Sequence, residues 1–275
     1  MQIAECHWKT ADALEIYAKH WQVENPKAVV CLLHGLGEHV NRYNHVAAFF
    51  AERGIATHGS DRRGHGQSAG KRGHAPHLDA LLNEVGQLVD FAGKTYPRVP
   101  LFLYGHSMGG NHALNFLLRK KPALRGVIAT GSWIRLPQAP SAALIAFAKI
   151  MNKIAPTFAQ SNGLDTNLLS KDPAVVKAYV ADPLVHDRIT VAMGLSMMEA
   201  AAWLDRFSGE IPAPLLLMHG ADDRITDPQG SAGFAQRVSG DVTCRLWEGL
   251  YHEIHHEPQQ AQVLAFMVEW MMKKC

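Results

Sequence analysis

The stretch Leu101-Phe102-Leu103-Tyr104-Gly105-His106-Ser107-Met108-Gly109-Gly110 decides how the rest of the chain is read. Its first four residues make a short apolar strand, and from Gly110 to Leu118 apolar residues recur at helical spacing. Between strand and helix stands G-x-S-x-G. Small residues two before and two after the serine let the chain turn so tightly that the hydroxyl stands exposed above a sheet. A glycine-rich turn whose serine only caps the helix has the same five letters, so the flanking strand and helix carry the reading.

Outward from this turn, the same grammar repeats. Continuous apolar runs at Ala28 to Leu33, Ile55 to Ser60, Gly126 to Ala129, Leu215 to Met218 and Val242 to Trp247 each end in a loop. Helical spacing at Val46 to Phe50 and Leu81 to Ala92 fills some of the intervals. Strands that are apolar throughout are covered on both faces, which implies a mostly parallel sheet between two helical layers, with its ligand site beyond the carboxyl ends of the strands. Ahead of them, the turn at Lys9 to Asp12 and the strand Ala13 to Trp21 predict an antiparallel hairpin. The alternation stops between about Trp133 and Ser208, where helical segments appear without a good strand. We therefore expect a core of residues 1–132 and 209–275 with a helical cap inserted at 133–208. One cap helix is unusually apolar, with Leu144, Phe147, Met151 and Ile154 on one stripe and Ile145 and Ile150 elsewhere. Packing onto the core and facing lipid are both open to it.

The 275 residues suit one large α/β domain with an insertion. A net charge of +2, without long runs of one sign, gives no electrostatic case for nucleic acid and favours a small-molecule partner. Cys6, Cys31, Cys244 and Cys275 are scattered, which suggests neither a disulfide framework nor a zinc knuckle. The amino terminus lacks the pattern of a signal peptide, and no apolar stretch approaches the roughly 20 residues of a membrane span. A cytoplasmic location is expected, with peripheral membrane contact through the cap left open.

An exposed serine is a weak nucleophile and needs a base, an orienting acid and an oxyanion site. His34-Gly35-Leu36-Gly37 follows the strand ending at Leu33, so the backbone amides of Leu36 and Met108 are the expected oxyanion donors. The late strand ends in His219-Gly220-Ala221-Asp222-Asp223. We favour Asp223 as the acid, on its spacing from Gly220, over the adjacent Asp222. After the last strand, His252 is the first candidate for the base. The order Ser107, Asp223, His252 is that of α/β hydrolases. The nearby His255 and His256 are read as solvated or packed side chains; no metal and no cofactor are expected. Asp61-Arg62-Arg63-Gly64-His65-Gly66-Gln67-Ser68 is expected to be a hydrogen-bonded turn, with a buttress for the Leu36 loop as the alternative.

Taken together, His34-Gly35-Leu36-Gly37-Glu38-His39 with Arg42-Tyr43, Asp61 to Ser68, Gly105 to Gly110, the Asp223 loop and Tyr251-His252 to His255 make the sequence resemble the monoacylglycerol lipase and lysophospholipase group of α/β hydrolases. The resemblance implies the α/β-hydrolase fold and cleavage of a monoacylglycerol ester by attack of Ser107, with release of glycerol and then of the fatty acid from an acyl-enzyme. It further implies that Glu38, Arg42 and His255 contact the glycerol. Leu36 stands where that group often has a smaller residue; it would contribute only its amide. Lysophospholipase or broad carboxylesterase activity is the nearest alternative, and a non-catalytic binding protein on the same fold is the reading from another class.

Overall fold

The computed structural model describes every residue from Met1 to Cys275. Eight strands form the main sheet: β1 (Gln2–Lys9), β2 (Glu15–Gln22), β3 (Ala28–Leu33), β4 (Ile55–Ser60), β5 (Leu101–His106), β6 (Gly126–Thr130), β7 (Leu215–Gly220) and β8 (Val242–Trp247). Their spatial order is β1-β2-β4-β3-β5-β6-β7-β8. The β1–β2 hairpin joins β4 antiparallel, and every pairing from β4 to β8 is parallel. The fold is that of the α/β hydrolases.

Continuous apolar strands follow from a helical layer on each face. Along β3, Val29, Cys31 and Leu33 pack into one core with α2 (Leu78–Thr95), α3 (Met108–Lys120) and α7 (Pro228–Arg237). The alternate residues Ala28, Val30 and Leu32 pack into a second core with α1 (Asn44–Ala51) and α8 (Gln260–Met272). Local chemistry marks where helices begin. Both α5 (Pro173–Ala181) and α7 open with Asp-Pro: proline suits the first turn, and the Asp172 and Asp227 carboxylates accept the N–H of Ala174 and Gln229.

Residues 133–208 hold α4 (Ala142–Ile154), α5 and α6 (Val191–Arg206). They also hold a feature absent from the sequence reading, a two-stranded antiparallel pairing of Ala159–Ser161 with Arg188–Thr190. The anticipated stripe on α4 is split. Ile145, Ala148 and Met151 are half-buried on the side toward α6, whereas Leu144, Phe147, Ile150 and Ile154 are all more than half exposed, joined by Phe158 beyond the helix. No helix is long and apolar enough to cross a membrane.

Phe102, on the central strand β5, is fully buried and meets Trp270 of α8 edge-on at 6.1 Å. Phe102→Ala is expected to lower unfolding stability by about 3–5 kcal/mol, measured by urea denaturation.

Candidate active site

Ser107 sits between β5 and α3 at φ 55°, ψ −115°, a backbone conformation an L-residue rarely adopts. Close packing explains the glycines beside it. A Cβ on Gly105 would run into the Gly109 carbonyl, and one on Gly109 into the carbonyl of Leu33. The turn is held by its own backbone: the Ser107 N–H donates to Thr130 O at 2.9 Å, and the Ser107 carbonyl accepts from Asn111 and Trp133.

The structure brings Ser107, His252 and Asp223 together in a line. Ser107 Oγ lies 2.9 Å from His252 Nε2, and His252 Nδ1 lies 2.7 Å from Asp223 Oδ2. Asp223 is buried at the end of β7, where its Oδ1 accepts the amides of Ile225 and Thr226 and its Oδ2 lies 2.9 Å from His219 Nε2. Burial alone would raise the Asp223 carboxyl, but the facing His252 and the bonds from His219 and His252 hold it well below the usual carboxylate range. Burial would push His252 down; Asp223 first, then Glu253 and Glu38, push it above its ordinary value. Asp222 faces out, 3.5 Å from Lys171. An arrangement of this kind can take a proton from the Ser107 hydroxyl and stabilise the resulting imidazolium.

Leu36 lies in the loop after β3, beside the serine: a Cβ on Gly35 would come within 3.4 Å of Ser107 Cβ. The Leu36 side chain packs against a small cluster containing Met108, Met193 and Met197. Its amide has no acceptor within the protein, and Met108 carries one of the unpaired N–H groups that begin α3. The Asp61 turn does both things considered for it. It closes on itself through Gln67 N–H, and it fixes the Leu36 loop, since Asp61 Oδ1 accepts Val40 N–H and the Arg62 amide donates to His34 Nε2.

A cavity of about 450 Å³ opens over these groups, walled by Leu36, Trp133, Leu136, Leu169 and Ile189 with Ser107, His252 and Glu38 at its polar end. Glu38 is therefore placed to meet a ligand. Arg42 and His255, the other two residues expected at the glycerol, do not line this cavity. Arg42 is drawn inward by two carboxylates, Glu38 and Glu253. His255 is fully buried, stacked on Tyr43 at 4.8 Å, with both ring nitrogens unpartnered; burial, then the neighbouring His256, push it well below its ordinary value.

Three cavity-wall residues have no role in the sequence reading: His106 and Glu253, which lie within its motifs, and Thr226, which lies outside them. Thr226 has its hydroxyl 2.9 Å from Asp223 Oδ2, and His106 has Nδ1 3.1 Å from Thr130 Oγ1. Adjacency to His252 was the available signal for Glu253. Glu38, His106 and Glu253 bring possible metal-ligand atoms within 4.8 Å of one another, but Arg42 already engages both carboxylates. The run from His252 to His256 also spells H-E-x-x-H, a zinc pattern that works only on a helix. Residues 252–256 are not helical, and His252 is turned to Ser107 and Asp223.

A family model described as serine aminopeptidase, S33, matches residues 24–259. An uncharacterized abhydrolase domain-containing protein of Dictyostelium discoideum is 38% identical over 96% of this chain, which spans only 28% of that longer protein. The monoacylglycerol lipase of Mycolicibacterium smegmatis is 37% identical over 90% of this chain and 89% of its own length. The crystal structure of Paleococcus ferrophilus monoacylglycerol lipase superposes over the whole of both chains with a TM-score of 0.82 at 31% identity.

Asp223→Asn is expected to lower kcat toward a nitrophenyl ester by about 10⁴-fold. Asp222→Asn, assayed beside it, should stay within about twofold of the parent.

Proposed function

The chain belongs to the serine aminopeptidase S33 family, and we propose that it is a monoacylglycerol lipase, releasing glycerol and a fatty acid through an acyl-enzyme on Ser107. It is a serine hydrolase with the α/β-hydrolase fold. The observation that carries the finer reading is the Ser107–His252–Asp223 relay opening onto a cavity whose wall includes Leu36, Trp133, Leu136, Leu169 and Ile189.

In this reading His252 Nε2 takes the Ser107 proton as Oγ attacks the ester carbonyl, and the Leu36 and Met108 amides receive the oxyanion. The imidazolium, steadied by Asp223, then protonates the departing glycerol oxygen. Water enters, gives its proton to His252, and attacks the acyl carbonyl; collapse returns the proton to Ser107 and frees the fatty acid. Residues 133–208 serve as the cap, with Trp133, Leu136, Leu169 and Ile189 lining the acyl path.

Glu38 marks the alcohol end. Its negative charge on the cavity wall disfavours a phosphate there. Arg224, exposed, is the one cation on the cavity wall. Glycerol is thus favoured over a phosphorylated head group. The exposed Leu144, Phe147, Ile150 and Ile154 face of α4, continued by Phe158, supports peripheral contact of the cap with a lipid surface.

Ser107→Ala should leave less than roughly 1% of the parent rate. For the parent, kcat/KM on monoacylglycerol should exceed that on lysophosphatidylcholine of equal chain length by at least about tenfold; a reversed preference would make it a lysophospholipase. Phe147→Ser combined with Ile154→Ser should weaken cosedimentation with lipid vesicles while leaving turnover of a short soluble ester unchanged.

A further inference from the structure

Behind the cavity wall, one guanidinium joins two loops that meet at Ser107. Arg42 Nη1 donates to Glu38 Oε2 at 2.5 Å and to Glu253 Oε1 at 2.6 Å, and Nη2 donates to Glu253 Oε2 at 2.7 Å. Glu38 Oε1 in turn accepts the Gly35 N–H at 2.6 Å and the Tyr43 hydroxyl at 2.8 Å. An unbroken set of hydrogen bonds therefore runs from the amide preceding Leu36, through Glu38 and Arg42, to the residue following His252. All three charged side chains are at least nine-tenths buried, and the Tyr179 ring of α5 covers the guanidinium at 4.6 Å.

We propose that Arg42 and Glu253 are positioning residues: their forked ion pair sets the spacing between the Leu36 loop and the His252 loop, and holds a carboxylate on the residue that follows the base. The inference rests on the reading of Ser107 and His252 as nucleophile and base. Neither Arg42 nor Glu253 needs to touch substrate. A fork engaging both oxygens of one carboxylate fixes orientation as well as distance, which a lysine ammonium cannot do. Small displacements of an oxyanion donor relative to the base are costly in rate, so a rigid cross-tie at this place has a direct kinetic consequence.

The groups facing His252 are few. From the end of β7 come Asp223 and Thr226, from the β5 turn Ser107 and the His106 ring at 4.7 Å, and from the two cross-tied loops Glu253 and Glu38. His106 is pushed well below its ordinary value, by burial and then by His252, and adds no charge at neutral pH. His256 Nδ1 stands 2.9 Å from Glu253 Oε2. Burial opposes ionisation of Glu253, but Arg42 and His256 hold it well below its ordinary range.

The test is the pH profile of kcat/KM on a soluble nitrophenyl ester, for the parent, Glu253→Gln and Arg42→Lys. Activity requires neutral His252, so it falls as pH drops through the His252 pKa. Glu253→Gln removes a negative charge that favours the imidazolium, and its acid limb should move down by roughly one pH unit. Its kcat should fall about tenfold or more with KM within about twofold. Arg42→Lys keeps the cation and loses the fork: kcat should fall comparably while the acid limb stays in place. A folded Glu253→Gln variant with an unmoved limb overturns the proposal, whether or not its rate falls, because a merely structural role changes melting temperature and not the limb. If Glu253→Gln does not fold, parental kcat in Arg42→Lys overturns it instead. Ser107→Ala in the same series separates the two readings: persistent turnover there strikes the proposed nucleophile, whereas an unmoved limb strikes only the cross-tie.

Discussion

The whole arrangement depends on one uncomfortable residue. Ser107 is held at positive φ between a buried strand and a buried helix, a conformation costing about 1–3 kcal/mol. It persists because its surroundings leave no room to relax. The glycines at 105 and 109 let the strand end, the helix start and β3 approach to contact, and the Ser107 amide and carbonyl are both bonded to neighbouring backbone. Everything around the site then becomes a question of what is carried to this fixed point by loops from β3, β6, β7 and β8.

Much of that is legible in the sequence because it is local. The six runs are the six parallel strands; the five from β4 to β7 are buried at odd and even positions alike, as the two cores of β3 display residue by residue, while the edge strand β8 leaves Cys244 and Arg245 exposed. Loops at strand ends inherit their place from the strands. Ser107, Asp223 and His252 could therefore be nominated from motif, spacing and strand-end position, and the structure sets them within hydrogen-bond distance. The choice between Asp222 and Asp223 turned on a spacing; in three dimensions, one carboxylate is buried among donors and the other points to Lys171.

What stayed hidden is long-range and polar. Arg42 and Glu253 are separated by 211 residues, and no period or motif in a single chain announces that a guanidinium will choose that partner over solvent. Knowing only that Arg42 and His255 sit near the motifs, a reader assigns them to a ligand. The structure turns both inward, the first by charge and the second by stacking on Tyr43. The segment 133–208 was the other blind region. Its α4 packs with one side and exposes the other, and an apolar count cannot distinguish the two sides.

Stability alone does not account for the cross-tie behind the site. Taking two carboxylates and a guanidinium out of water costs several kcal/mol per ion, and apolar replacements of equal volume are often no less stable. An apolar replacement could fill the space between the loops. It could not orient them, because dispersion contacts are indifferent to a rotation that a forked ion pair resists, and it could not lend charge to His252. The same carboxylate thus serves geometry through Arg42 and electrostatics through its neighbour in the chain. Buried charge at this place is best understood as the condition for keeping the base loop and the oxyanion loop in register around a serine that itself cannot move.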